Sequence, residues 1–345
     1  MILEQFRTGG CLSYLVGCEK RCSALLIDPG IGLIDRYLAS CARHGLQLHY
    51  LVDTHTHADH FSASRVLAMR LRVPVVMHRL SPAPYVDIRV DDGETLIVGE
   101  LRVQVMHTPG HTVDSICLRA DDCLFTGDTL LIGATGRTDL PIGDAGALHA
   151  SLFDRLLALP DATRVYPAHN YRDQDSSTIG AERAGNPRLQ VTGREAFVDM
   201  MNGLNLKAPD HLTEALRVNC SGGQSVAQLI AEAAEQIAFM SIAEVAARAS
   251  DRDLTVLDVR ESEAYRAAHI PGALHIPRGQ LELRVDAVLP DPTRRIVVYC
   301  EYGKISTLAA AMLRRLGFGR AVALDGGFRQ WREGGLPVEG EAGGA

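Results

Sequence analysis

The stretch Leu48-His49-Tyr50-Leu51-Val52-Asp53-Thr54-His55-Thr56-His57-Ala58-Asp59-His60 decides how this chain reads. Its first half is an apolar run suited to a buried strand, and a helical pattern starts near Phe61. Between them, three imidazoles and a carboxylate fall within six residues, His55 to His60. Crowding ligand-type side chains at a strand end is what a metal site requires. If the backbone stays extended there, side chains alternate with period two, so His55 and His57 face one side and can address one ion.

Three more ligand-type residues recur just beyond apolar runs: His111 in Thr108-Pro109-Gly110-His111, Asp128 in Phe125-Thr126-Gly127-Asp128, and His169 in Tyr166-Pro167-Ala168-His169. Loops leaving one end of a sheet can converge on one pocket. Imidazole with carboxylate suits Zn, Mn or Fe(II), and two His with one carboxylate and open positions is the arrangement of non-haem Fe(II) oxygenases. The ligand chemistry alone leaves the choice of metal open.

Outward from this cluster, residues 1 to about 220 alternate short strand-like runs with turns and a few helices, which predicts layered α/β structure with mixed sheets. A polar break at Asn219-Cys220-Ser221-Gly222-Gly223 places a boundary within 221–240. Beyond it, strands and helices alternate regularly, the pattern of a small parallel sheet covered on both faces. The expected domains are 1–224, a linker helix over 225–240, and 241–345. A length of 345 residues fits two domains at roughly 150 residues each. With 46% hydrophobic and 22% charged residues the chain is an ordinary folded protein. A net charge of -7 without a basic stripe argues against nucleic acid as a partner. No apolar run approaches the ~18 residues of a membrane span, and the first residues lack the pattern of a signal peptide, so a cytoplasmic location is expected. Eight cysteines are too few for a disulfide scaffold and are expected as free thiols.

The first region resembles the metallo-β-lactamase superfamily, whose fold is an αββα sandwich. Within it, Gly127-Asp128-Thr129-Leu130-Leu131-Ile132, Thr135-Gly136-Arg137-Thr138-Asp139, Pro167-Ala168-His169-Asn170-Tyr171 and Asn186-Pro187-Arg188-Leu189 resemble the persulfide dioxygenases. The resemblance implies one Fe(II) per chain held by His55, His111 and Asp128, oxidising glutathione persulfide with O2 and water to sulfite and glutathione. His57, Asp59, His60 and His169 would then line the pocket or form a vacant second metal position. Arg137, Asp139 and Tyr171 are the expected substrate-binding residues, Arg137 as an anion anchor or as a structural partner of Asp139. Asn170 and Gly133-Ala134-Thr135 depart from the pattern of that family. The alternative within the superfamily is glyoxalase II, a two-metal thioester hydrolase.

Near the other end, Cys300-Glu301-Tyr302-Gly303-Lys304-Ile305-Ser306 lies between an apolar strand and a helix. Backbone N–H groups and a helix N-terminus favour a thiolate in such a turn, so Cys300 is a candidate nucleophile. Leu257-Asp258-Val259-Arg260, His269-Ile270-Pro271-Gly272-Ala273 and Leu324-Asp325-Gly326-Gly327-Phe328 with Trp331 resemble the rhodanese family at matching intervals. That resemblance implies sulfane-sulfur transfer through a Cys300 persulfide, with Lys304 as the loop cation and Asp258 and Arg260 as structural residues. Ile305 stands where the commonest rhodanese loop ends in Arg, and Glu301 adjoins the nucleophile; slow turnover of thiosulfate is therefore expected. The whole reads as a bifunctional sulfur-metabolism enzyme. Its expected partners are glutathione persulfide or another small thiol persulfide, O2, and thiosulfate or sulfite; homo-oligomerisation is left open.

Overall fold

A computed structural model describes residues 1–340 apart from 141, 173, 208–211, 249–250 and 252. The chain divides into two compact units, Met1–Gly223 and the residues from Gln224 onward.

The first unit holds two six-stranded mixed sheets. One has the order β1 (Ile2–Thr8), β2 (Cys11–Cys18), β3 (Ser23–Ile27), β4 (Gln47–Val52), β5 (Val75–His78), β6 (Ile88–Val90), antiparallel up to β3 and parallel from there. The other runs from β7 (Thr95–Val98) through β8 (Leu101–His107), β9 (Ile116–Ala120) and β10 (Cys123–Gly127) to β13 (Arg164–Pro167) and β14 (Ser177–Thr178). A short ribbon of β11 (Leu130–Leu131) and β12 (Ala134–Thr135) follows β10.

Side-chain alternation sorts each strand between two cores. Tyr14, Val16, Leu25 and Ile27 meet Val103, Val105, Ile116, Leu118 and Phe125 in the space between the sheets. Their neighbours Leu15 and Leu26 point the other way, onto Tyr37 and Cys41 of helix Ile34–His44 and Leu67 of helix Ser64–Leu71. Met106, Cys117 and Leu124 likewise turn outward, onto Leu148, Leu152 and Phe197. The result is four layers, helix on sheet on sheet on helix, as the resemblance implied. The helical stretch over 145–158 is not one regular helix. It runs as α over Ala145–Ala150, widens to a π turn over Ser151–Arg155 and tightens over Leu156–Ala158.

The second unit is a five-stranded sheet of order β15 (Phe239–Met240), β19 (Ala321–Leu324), β18 (Arg295–Tyr299), β16 (Leu254–Asp258), β17 (Leu274–His275), with every pair parallel. Leu257, Ile296 and Val298 pack on Ala309, Ala310 and Leu313 of helix Lys304–Arg315. Val256, Val297 and Tyr299 pack on Phe328 and Trp331 from the opposite face. Both faces being covered explains why these strands read as continuous apolar runs. The segment expected as a linker contains helix Val226–Glu235, which opens on a capping box at Ser225 and Gln228 and packs against helix Lys304–Arg315. It therefore belongs to the body of the second unit.

Candidate metal centre and cysteine loop

Five chain segments leave strand ends on one side of the first unit and carry the polar residues. Ile27 closes β3 before Asp28, Val52 closes β4 before His55, and His107 closes β8 before His111; Gly127 closes β10 before Asp128, and Pro167 closes β13 before His169. His55, His111 and Asp128 bring one donor atom each to within 4.8 Å of one another, and all three are buried. His55 Nε2 is 3.9 Å and His111 Nε2 3.5 Å from Asp128 Oδ2.

The surrounding hydrogen bonds decide which lone pairs face that point. Asp28 Oδ1 accepts from the Thr54 backbone N–H (2.7 Å), and Oδ2 accepts from Thr54 Oγ1 (2.8 Å). A hydroxyl has one proton to give; with it on Asp28, Thr54 Oγ1 must accept at its 2.9 Å contact with His55 Nδ1. His55 therefore carries its proton on Nδ1, and its buried Nε2, which has no hydrogen-bond partner, offers a lone pair. His111 Nδ1 lies 2.8 Å from the Arg137 carbonyl, which can only accept, so its Nε2 is likewise a free donor atom. Gly127, at φ +50°, makes room for this relay, since a Cβ there would stand 2.6 Å from Thr54 Oγ1. Burial and the neighbouring His57 hold the His55 imidazole well below its ordinary pKa, which keeps it neutral, the state a metal ligand needs.

His57 does not share this point with His55. The backbone leaves the extended conformation after Val52, so the period-two expectation does not apply, and His57 Nε2 meets Asp28 Oδ1 at 3.1 Å instead. Asp28, Asp53 and His57 form a separate buried group, in which Asp53 accepts from Ser62 and Ser64.

A third group gathers Cys11, Asp59, His60 and His169. The start of β2 runs beside Ala168–Asn170 and delivers Cys11 Sγ to 3.4 Å from His169 Nε2. His169 uses both nitrogens on carboxylates: Nδ1 is 2.6 Å from Asp128 Oδ1 and Nε2 is 2.5 Å from Asp59 Oδ2. Burial opposes charge on this ring, but the Asp128 and Asp59 carboxylates outweigh it and push its pKa well up. The Cys11 thiol, raised by burial, is brought down to about 7 by His169 and His60.

Over the His111–Asp128 side opens a cavity of about 510 Å³, lined by Leu131, Leu140, Tyr171, Arg188, Leu206 and Lys207 among others. Arg137 also lines it, yet its fork is committed: Nε and Nη2 hold Asp139 at 2.6 and 2.7 Å, and Nη1 donates to the Lys207 carbonyl. Of its two readings, the geometry has the structural pair with Asp139. Tyr171 is 78% exposed and stacks parallel to His169, so it is a rim residue. Asn170 closes a local turn on Arg172 N and Gln174 O. Asp28, Thr54, Arg188 and Asn219 were not among the residues singled out for the site. Asp28 follows an apolar strand as the candidate ligands do and could have been found by that rule. Asn219 donates to the His57 and His60 carbonyls and accepts from Ser62 N, a contact no sequence signal marks.

In the second unit Cys300 follows β18, and its Sγ accepts the Ser306 N–H at 3.3 Å and lies 3.5 Å from Ser306 Oγ. Gly327 supports the loop from behind: a Cβ there would meet the Cys300 and Glu301 carbonyls at 2.7 Å. Lys304 opens helix Lys304–Arg315. Asp258 and Arg260 form a buried pair, Nη2 to Oδ2 at 2.7 Å, with the Arg260 guanidinium over the Phe328 ring.

Residues 7–169 match the metallo-β-lactamase superfamily and residues 241–334 the rhodanese-like domain. The mitochondrial persulfide dioxygenase ETHE1 of Homo sapiens is 35% identical over 65% of this chain and 89% of its own length. The chain belongs to the metallo-β-lactamase superfamily, among the ETHE1 persulfide dioxygenase homologues. Its second unit is a rhodanese-like domain. The crystal structure of ETHE1 from Myxococcus xanthus superposes with a TM-score of 0.63 at 39% identity, covering 65% of this chain and all of that one. A metallo-β-lactamase from Staphylococcus aureus shares the fold over 94% of this chain and 97% of its own, at 22% identity and a TM-score of 0.61. This membership and the two domains support an enzyme of sulfur metabolism. No helix among the described residues is long and apolar enough to cross a membrane.

Proposed function

We propose that the first unit oxidises a low-molecular-weight thiol persulfide, glutathione persulfide in the first instance, and that the second moves sulfane sulfur through Cys300. The balance of the oxidation is R–S–SH + O2 + H2O giving R–SH and sulfurous acid, with O2 the oxidant and the outer sulfur oxidised. The observation that carries this reading is the convergence of three donor lone pairs, His55 Nε2, His111 Nε2 and Asp128 Oδ2, while their other polar atoms are engaged elsewhere. Two imidazoles and one carboxylate suit a single Fe(II), which when bound supplies open coordination positions for O2 chemistry.

The chain's own residues do the rest. His169 occupies Asp128 Oδ1 and leaves Oδ2 for the ion. Arg188 and Lys207 place positive charge on the cavity wall, opposite the carboxylates of a peptide-like thiol carrier, while Leu131, Leu140 and Leu206 limit water at the reacting sulfur. In the second unit the Ser306 N–H stabilises negative charge on Cys300 Sγ, whether as thiolate or as persulfide.

The Cys11–Asp59–His60–His169 group favours a second reading, a two-metal thioester hydrolase. Against it stand both His169 nitrogens, engaged with carboxylates rather than presenting a lone pair. Metal analysis after anaerobic Fe(II) loading, with a glutathione thioester assayed on the same sample, separates the two. One iron per chain and no hydrolysis is the expected result; two metals with thioester cleavage would establish the hydrolase.

A further inference from the structure

The rhodanese loop carries its charges in a pattern that selects among sulfur donors. Glu301, next to the nucleophile, is half-buried and held: its Oε2 takes Arg260 Nη1 at 3.1 Å. Four of the five Arg260 N–H groups are thereby committed, because Nε and Nη2 serve Asp258 and Nη2 also donates to the Ala268 carbonyl at 2.6 Å. Arg329, whose guanidinium lies 5.9 Å from the Tyr302 ring, is paired with Glu333. Beside Cys300 the cations Arg260 and Arg329 are thus engaged by Asp258, Glu301 and Glu333, and Lys304 brings the sum of these side-chain charges to zero. The exposed side chains of the loop include an aromatic and an aliphatic one, Tyr302 at 63% and Ile305 at 50% exposure.

Thiosulfate and sulfite place a sulfonate or sulfite anion directly against the sulfur that reacts. A loop with no net positive side-chain charge, an anchored carboxylate and an apolar rim leaves that anion only Lys304 and the backbone N–H groups of the loop to compensate its desolvation. An organic persulfide differs: its leaving group is a singly charged thiolate, its other charges lie several bonds away, and its carbon skeleton can rest on Tyr302 and Ile305.

We infer that Cys300 exchanges sulfane sulfur between thiols, taking it from an organic persulfide and passing it to a second thiol, with Glu301 as the residue that excludes thiosulfate and sulfite. This rests on the proposed role of Cys300 as the sulfur carrier. The Cys300 thiolate attacks the outer sulfur of R–S–SH; the new S–S bond forms as the donor's breaks, and R–S⁻ leaves with the electron pair. Cys300 then holds –S–SH. A thiolate R′–S⁻ attacks that outer sulfur, R′–S–SH departs and the Cys300 thiolate returns, with no net oxidation.

The test loads the full-length protein with thiosulfate or with glutathione persulfide, reads the gain of one sulfur atom on Cys300 by mass spectrometry, and discharges it with glutathione or sulfite. Loading by the organic persulfide is expected to be at least about tenfold faster, and Glu301→Gln should raise the thiosulfate rate about tenfold, a change of about 1.4 kcal/mol, while leaving the persulfide rate within about twofold. Glu301→Arg should raise it further, and melting curves show that both variants fold. Thiosulfate loading the wild-type protein as fast as the organic persulfide, or an unchanged donor ratio in the Glu301 variants, would overturn the inference. Transfer that survives Cys300→Ser with every donor would instead remove the underlying role of Cys300.

Discussion

His169 Nδ1 stands 2.6 Å from Asp128 Oδ1, so a residue outside the proposed ligand set holds one oxygen of a residue inside it. The same ring reaches Asp59 Oδ2 with its other nitrogen, which ties Asp128 to the loop that carries His55. Such a neighbour fixes the orientation of a ligand and tunes its affinity for the ion.

Replacing His169 with Ala should therefore weaken iron binding by about 10- to 100-fold without removing the site. Competition against a calibrated chelator measures it. Sulfur loading of Cys300 in the same protein should be unchanged, which controls for general damage.

Thr54 passes the influence of Asp28 to His55 through one hydroxyl. Thr54→Val keeps the volume and removes the acceptor for His55 Nδ1, so metal affinity should fall by about tenfold or more, and Thr54→Ser should restore most of it. The visible spectrum of the Co(II)-loaded variants reports the coordination change directly.

Cys11 should be a pH-sensitive thiol of the first unit. His169 and His60 bring it down to about 7, so its thiolate fraction rises as pH increases through neutrality, and alkylation of metal-free protein should accelerate with a midpoint near pH 7. Burial pushes Cys117 and Cys123 up to about 11, and both should stay unmodified over the same range. Peptide mapping after timed exposure to iodoacetamide resolves the three.

Arg260→Met leaves Asp258, fully buried, without its partner. Breaking a buried pair in this way costs about 3–5 kcal/mol. Denaturant unfolding followed by the fluorescence of Trp331, the one tryptophan of the chain and part of the second unit's core, should show that loss.

His55, His111, Asp128 and His169 were legible in the sequence because each lies one to four residues past an apolar strand. Such strands, stacked in two sheets, open their ends on one side. The four-layer architecture was implied by the resemblance to the metallo-β-lactamase superfamily, and the alternation of Leu15 and Leu26 against Tyr14 and Leu25 shows how the strands serve it. What stayed illegible depends on local backbone or on distant chain. His57 turned to Asp28 because the strand stops at Val52, and no periodicity announces where a strand gives way to a loop. Asn219 reaches the carbonyls of His57 and His60 across some 160 residues. Arg137 had two partners equally open to it in sequence, and only the placement of Asp139 and the 206–207 backbone decided between them.

The most direct test of the central claim is O2 uptake by anaerobically iron-loaded protein given glutathione persulfide, with iron content and sulfite release determined on the same sample. The account predicts one iron per chain and one sulfite released for each O2 consumed, with both lost in His55→Ala. Persulfide consumed without O2 uptake, or turnover that is indifferent to His55, would contradict it.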